Sequence, residues 1–433
     1  MSPRQNIIPE IVLTGIAVFA TVIEAADPFT QVKSKKGLQV QMTDDALALG
    51  IKHATLNVNL SHFIDPQATS PAPHLIKWQH HVRHYFFQRA AVEQLDNQIK
   101  SLSDHDVRVY LILLVYQHSD ARVNQILSHP DYDKAAPNRL AAFNSVSDEG
   151  RGWLAAIASF FADRWSSSTK TAESLPHGRV AGYIVGNEVN SHWFWSNQGE
   201  VSQETFANDY HKSVRLIHTA VRSSATWPRV YISLEHHWNI RYPGATSKQA
   251  FPGRAFINRF AEIAEMEGDF DWHVAFHPYP EDLFDPRFWQ DESAIDDFDT
   301  SRITFRNIDV LTRYLQQEHL LFNGKVRRVI LSEQGFHTPD EPDGERIQAA
   351  AYCLAYRIVD RIDGIDAFIL HRHVDHRHEG GLRLGLWTRK NESVSTPAAR
   401  KQIYKCFRDA DTDRWRSTFQ FALPIIGKST WDE

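Results

Sequence analysis

AGYIVGNEVNSHWFW, residues 181–195, carries two messages. Up to Gly186 it is an apolar run of strand length, with no position suited to face water. Runs of this kind belong to strands covered on both faces, as in parallel sheets. The run then stops at Asn187-Glu188, and Trp193, Phe194 and Trp195 follow at once. A core strand that ends in an amide and a carboxylate is ending at something polar that it has to serve.

The same pattern recurs along the chain. Lys36–Gln41 and His53–Leu60 read as strands, with a helical turn over Asp44–Leu49 between them. Ala90–Leu102 has helical spacing and precedes VRVYLILLV, residues 107–115, a strand with nothing polar enough to face water. Helical spacing over Arg151–Trp165 precedes the strand Val180–Val185. Phe206–Val221 is helical, Val230–Leu234 a strand, Phe256–Met266 helical and His273–Phe276 a strand. Ile308–Leu320 (helical), Val329–Leu331 (strand), Ile347–Ile362 (helical), Ile365–Leu370 (strand) and a helix over Pro397–Phe407 complete the series. Eight strands alternating with helices define an α/β chain, and that number favours a closed (β/α)₈ TIM barrel over an open sheet. No glycine-rich phosphate loop follows the first strand, which argues against a nucleotide-binding sheet. The expected organisation is a leader over residues 1–30 and a single barrel over 31–433. Its long loops, residues 61–88, 116–149, 238–252, 280–304 and 371–396, follow strands and so fall on the functional face.

Composition agrees with a large folded domain: 433 residues, 42% hydrophobic, with a formal net charge of -6. That balance gives no general affinity for nucleic acid. Cys353 and Cys406 have no metal-binding spacing and read as buried small hydrophobes. The run Ile11–Ile23, with Arg4 before it and Glu24-Ala25-Ala26 after it, has the outline of a secretory signal, although Glu10 and Glu24 flank it. It is too short for a stable membrane span. A secreted or periplasmic location follows if the run is a signal, a cytoplasmic one if it packs on the domain.

Strand ends in a barrel open into the active site. Glu188 ends the fourth strand and Glu333, in VILSEQG (329–335), ends the seventh, across the mouth. Two carboxylates on one cleft are the apparatus of glycoside hydrolysis: one protonates the leaving oxygen, the other attacks the anomeric carbon. No cofactor is required. Glu188 must hold its proton near neutral pH, and Glu333 must stay ionised among hydrogen-bond donors.

These motifs resemble clan A of the retaining glycoside hydrolases. Asn187-Glu188 is similar to that clan's acid/base motif and Glu333 to its nucleophile. His277-Pro278-Tyr279, ending the sixth strand, resembles the His-x-Tyr of many cellulase-like members. The resemblance implies that Tyr279 bonds the nucleophile and that the substrates are mostly β-linked. As architecture it covers residues 36–407; as sequence it rests on these three motifs. The whole chain also resembles a bacterial family of glycosidase-like proteins grouped as a domain of unknown function. The expected activity is therefore that of a retaining glycosidase on a polysaccharide or oligosaccharide. Asn187 would donate to a sugar hydroxyl beside the reacting carbon.

Other candidates surround this pair. Glu235, in LEHHW (234–238), ends the fifth strand; it would hold substrate, orient His277, or act as the acid under a shifted register. His237 and Trp238 follow it. HRHVDHRHE, residues 371–379, ends the eighth strand. Its readings are a metal site (without a defined ligand spacing), an anion subsite in which Arg372 and Arg377 grip an acidic or sulfated sugar, or a solvated loop with only His371 in the cleft. Trp193, Trp195, Trp238, Trp289 and Trp387 fall on or near the loops of this face, as stacking platforms or as packing for the loops. The rival functions are a transglycosylase on the same scaffold, a non-catalytic carbohydrate-binding barrel, and a metal-dependent hydrolase using the histidine-rich loop.

Overall fold

VRVYLILLV alternates in space although not in sequence: Tyr110, Ile112 and Leu114 join one apolar cluster, and Val109, Leu111 and Leu113 another. The first cluster fills the lumen of a barrel and the second packs under the surrounding helices. Both faces of the strand are covered beyond Arg108, which is why no polar position interrupts it from Val109 to Val115.

The computed structural model describes residues 32–167 and 175–432. Eight parallel strands close on themselves: β1 (Lys36–Gln39), β2 (His53–Asn59), β3 (Arg108–Tyr116), β4 (Gly182–Val185), β5 (Arg229–Glu235), β6 (Trp272–His277), β7 (Val329–Leu331) and β8 (Ile365–Leu370). Each pairs with its sequence neighbours, and β8 closes the ring on β1 with Leu370 opposite Leu38. The principal flanking helices are α1 (Thr43–Ala48), α2 (Arg89–Ser103), α3 (Asp148–Ser166), α4 (Gln203–Ser224), α5 (Gly253–Met266), α6 (Asp309–Tyr314), α7 (Gly344–Asp360) and α8 (Gln402–Asp409). This is a (β/α)₈ TIM barrel. The leader expected over residues 1–30 lies outside the described residues. Among the described residues no helix is long and apolar enough to cross a membrane.

Local chemistry sets the helix starts. Ser147 Oγ accepts from Gly150 N–H at 3.0 Å before α3, and Ser202 Oγ from Thr205 N–H at 3.1 Å before α4. Caps of this type contribute about 1 kcal/mol each. Asp96 of α2 takes Arg164 in a two-pronged pair, at 2.8 and 2.5 Å, and the Trp165 indole at 2.9 Å, which ties α2 to α3. In the lumen, a Cβ on Gly182 would lie 2.8 Å from the Tyr231 ring and 3.0 Å from Tyr110. The bare backbone there lets both tyrosines fill the space.

Three expectations need correction. The stretch 61–88 contains an antiparallel hairpin, Leu75–His80 with Arg83–Gln88, which docks on α3 through Phe87 stacked on Phe160 at 4.4 Å. The helix expected over Ile308–Leu320 stops at Tyr314, and a separate 3₁₀ turn spans Glu318–Leu320. Pro397–Arg400 is a strand paired with Trp387–Arg389, and only Gln402–Asp409 is helical. Proline suits the first position of that short strand, where it costs no ladder bond.

The two ends of the barrel differ. At the N-terminal end a cavity of 630 Å³ is lined by Arg108, Arg222, Arg229, Lys325, Arg327 and Arg328 around Asp271. Asp366 of β8 bridges Arg229 and Arg328, each at 2.5 Å, behind that lining. The opposite end collects carboxylates.

Candidate active site

Glu188 is placed by its own backbone. Beyond β4 the chain turns through two left-handed residues, Gly186 (φ 76°) and Glu188 (φ 41°). The left-handed conformation costs a non-glycine residue about 1–2 kcal/mol. The Glu188 N–H donates to Ser233 Oγ of β5 at 3.0 Å, and this bond helps to hold the turn. The result aims a carboxylate at the mouth with only 9% of the residue exposed.

His277, from the end of β6, lies against it. Nδ1 is 2.8 Å from Glu188 Oε1, and Nε2 is 3.0 Å from Ser332 Oγ at the end of β7. One residue further on, Glu333 is half-buried and accepts the Tyr279 hydroxyl at 3.2 Å. One donor atom from each of Glu188, His277 and Glu333 falls within 4.8 Å of the others. The ends of β4, β6 and β7 thus bring four expected residues to one point.

The electrostatics follow from burial. Burial raises the Glu188 carboxyl above its ordinary value; His277 opposes this, and the charges of Glu333 and Glu235 add to it. Burial pulls the His277 imidazole down, but the Glu188 bond and the Glu333 charge outweigh it and leave the imidazole raised. Tyr279 is pushed far up by burial and by Glu333, and so remains a donor. A single buried hydrogen bond of 2.8 Å joins the Glu188 carboxyl to the His277 imidazole.

Glu235 stands differently. Its Oε1 accepts from Asn190 at 2.7 Å and Ser191 at 2.8 Å; its Oε2 accepts from the His237 N–H at 2.8 Å and pairs with His237 Nδ1 at 2.6 Å. Burial raises it, but these bonds and the histidine charges win and hold it at about 2. It is a saturated carboxylate that pins the turn after β4 to the end of β5. Its side chain bonds His237, not His277.

The remaining candidates divide. Asn187 is half-buried at the mouth. Trp238 has no exposure: its indole donates to the Phe298 carbonyl at 3.2 Å and packs edge-on to Tyr314. Trp193 is also buried, at 8% exposure. Trp289 packs against the core, and Trp387 bonds Asp45 beside Tyr404. Trp195 is half-buried on top of the lumen cluster. In the loop after β8, His371 bonds Gln39 and lies 3.3 Å from Glu379, which Arg372 also grips. His373 bonds Asp45 at 2.9 Å. Arg377 lies 3.9 Å from Glu392. Among the described residues no metal-competent cluster draws on residues 371–379.

Sequence reading missed four contributors. Ser233 and Ser332 orient Glu188 and His277 from neighbouring strand ends. Tyr116, exposed at the end of β3, is near enough to Glu333 and Glu379 to be raised by their charges after burial. Tyr242 is raised by burial and then by Glu188 and Glu235, and packs on Phe194 at 4.4 Å. An aromatic residue one or more positions beyond a strand end was the available signal.

Comparison with known proteins follows the same lines. The model of a family described as "Family of unknown function (DUF5722)" matches residues 28–433. No curated protein matches. Among solved structures, the chain is similar to a family 39 glycoside hydrolase from the gut symbiont Bacteroides cellulosilyticus WH2. That match has TM-score 0.54 and 12% identity, over 88% of this chain and 64% of that one. The chain therefore spans under two thirds of that relative's length. It is also similar to a hyperthermophilic β-glucosidase from Pyrococcus furiosus, at TM-score 0.55, 14% identity and 88% and 86% coverage. A family 1 β-glucosidase from Thermotoga maritima matches at TM-score 0.51, 11% identity and 85% and 84% coverage. At these identities the likeness is one of fold.

Proposed function

We propose that this chain, which belongs to the family of unknown function DUF5722, is a retaining glycoside hydrolase acting on a polysaccharide or oligosaccharide. The observation that carries the reading is the approach of Glu188 and Glu333, from opposite sides of the mouth, to within 4.8 Å oxygen to oxygen. That spacing suits a carboxyl separation of about 5–5.5 Å, where one group attacks directly, better than the 6.5–9.5 Å that leaves room for a water. The glycosidases named among the fold neighbours support hydrolysis of a glycosidic bond.

In the first step the Glu188 hydroxyl gives its proton to the glycosidic oxygen as a Glu333 oxygen attacks the anomeric carbon. The bond to the leaving group breaks and a glycosyl ester forms on Glu333. Loss of the Glu333 charge makes Glu188 easier to ionise. Glu188 then takes a proton from water, which attacks the same carbon and frees Glu333. Tyr279 steadies the charge on Glu333 before attack, and His277 holds the Glu188 carboxyl in line. Asn187 faces the sugar. Tyr116, Tyr242 and Trp195 offer rings for its C–H faces. Arg372 is engaged by Glu379 and Arg377 lies near Glu392, which favours a neutral sugar over an acidic or sulfated one.

The test is hydrolysis of a panel of neutral, uronic and sulfated polysaccharides by wild type, Glu188→Gln and Glu333→Gln, read as new reducing ends. NMR of the first-formed anomer reads the stereochemistry. Retained configuration on a neutral glycan, lost in both variants, is the expected result. Activity that survives Glu333→Gln overturns the assignment. Mass measurement of the mature N-terminus from the native host tests export through Ile11–Ile23.

A further inference from the structure

We infer that Glu188, His277 and Glu333 together form a site for a divalent transition-metal cation, zinc above all, and that its occupation closes the glycoside site. Only the second half rests on the function proposed above.

The ligand set is two carboxylates and one imidazole, with donor atoms within 4.8 Å of one another. Three such ligands with one open position are a recurrent zinc environment. Two carboxylates balance the charge of a divalent ion, so a buried pocket can accept it. Glu188 Oε1 and His277 Nδ1 are already 2.8 Å apart, inside the span of about 3.3 Å that two ligands keep on one tetrahedral ion with bonds near 2.0–2.1 Å. Glu333 is half-buried, with Tyr279 bonded to one oxygen, so rotation of its carboxylate brings in the third ligand.

The outer contacts suit a metal as well. A ligating histidine usually has its second nitrogen engaged by a neighbour that sets the ring's orientation. His277 Nε2 is engaged in this way by Ser332 Oγ, which leaves Nδ1 directed into the cluster.

A second group, Glu235 with His236 and His237, has similar composition. There the carboxylate is filled by Asn190, Ser191 and two contacts from His237. An ion would have to break several of these bonds. In the first cluster it has to break only the 2.8 Å bond between Glu188 and His277 and, as Glu333 turns, the 3.2 Å bond from Tyr279. That selects the Glu188 cluster. An ion there ligates both carboxylates, so neither protonation of the leaving oxygen nor attack on the sugar can occur.

The probe is cobalt(II), which reports tetrahedral ligation through strong visible absorption, titrated into the full chain and then displaced by zinc. One equivalent should bind. Ser332→Ala should weaken binding about tenfold by freeing the imidazole. Glu333→Gln should lose the band, and His376→Ala, in the loop after β8, should keep it. Zinc should block hydrolysis over the same concentrations as it displaces cobalt, with recovery in a chelator. Absence of a stoichiometric band in the wild type, or its survival in Glu333→Gln, overturns the site. Lack of turnover on every glycan would count against the proposed function and leave the spectrum unchanged. If Glu333→Gln does not fold, zinc-edge anomalous diffraction from wild-type crystals decides: a peak at Glu188–His277–Glu333 supports the site, and a peak only at Glu235–His237 or in the 371–379 loop overturns it.

Discussion

His277 Nδ1 lies 2.8 Å from Glu188 Oε1, with both side chains buried, so one buried hydrogen bond joins the acid of the proposed reaction to its neighbour. Both groups are raised by their surroundings. A raised group contributes stability that is fully present below its unfolded value and is lost as pH rises through the folded one. The thermal midpoint of the wild type should therefore fall as pH climbs above 4.5, the ordinary value of Glu188, and further above 6.5, that of His277. Glu188→Gln should be flatter over that window. Differential scanning calorimetry from pH 5 to 9 checks this, and parallel slopes would refute a raised Glu188.

Tyr279→Phe removes the hydroxyl that Glu333 accepts at 3.2 Å. A hydrogen bond to a charged group is worth about 1.5–3 kcal/mol. The bond also aims the attacking carboxylate, so turnover should drop about 10–100-fold with little change in KM. Steady-state kinetics on the substrate found in the panel would measure the split.

Glu235 is held at about 2, below the ordinary glutamate value of 4.5, and this depression contributes stability above pH 4.5 that is lost as pH falls through 2. The interval corresponds to about 3 kcal/mol. Glu235→Gln should therefore lower unfolding stability by about 3 kcal/mol at pH 7, and the difference should shrink to about 1 kcal/mol at pH 3. Urea titrations at the two pH values test it.

Two tryptophans should separate packing from binding. Trp238 is fully buried, so Trp238→Ala should cost about 3–5 kcal/mol of stability. Trp195 is half-buried over the lumen. Trp195→Ala should instead raise KM about 2–10-fold, the scale of one aromatic contact. Denaturation and kinetics on both variants would show whether the two effects cross over as expected.

The barrel was legible because most strands, such as β3 and β4, are apolar on both faces and most are followed by a helix-length period. Glu188, His277, Tyr279 and Glu333 were legible because a strand end is a position that sequence can locate. Trp238 was not: an aromatic residue after a strand reads the same whether the following loop folds it inward or outward. Ser233 and Ser332 were invisible for a related reason. Their partners, the Glu188 N–H and His277, come from other strands, and the closure of the barrel brings them together. The hairpin Leu75–Gln88 turns at His81 (φ 51°) without glycine, so no turn signal marked it. The strand at Pro397 depends on a partner ten residues earlier and has no period of its own.

The arginine-lined floor described above has a consequence for the chemistry at the other end. Glu188, Glu235, Glu333 and Glu379 gather around the mouth, while Arg108, Arg222, Arg229, Arg327 and Arg328 gather at the base. The barrel thus carries carboxylates at the mouth, where the sugar would break, and an arginine-rich lining at the base. An oxocarbenium-like transition state carries positive charge that the ground state lacks. A field fixed in the scaffold before substrate arrives stabilises that charge without having to reorient at the moment of reaction.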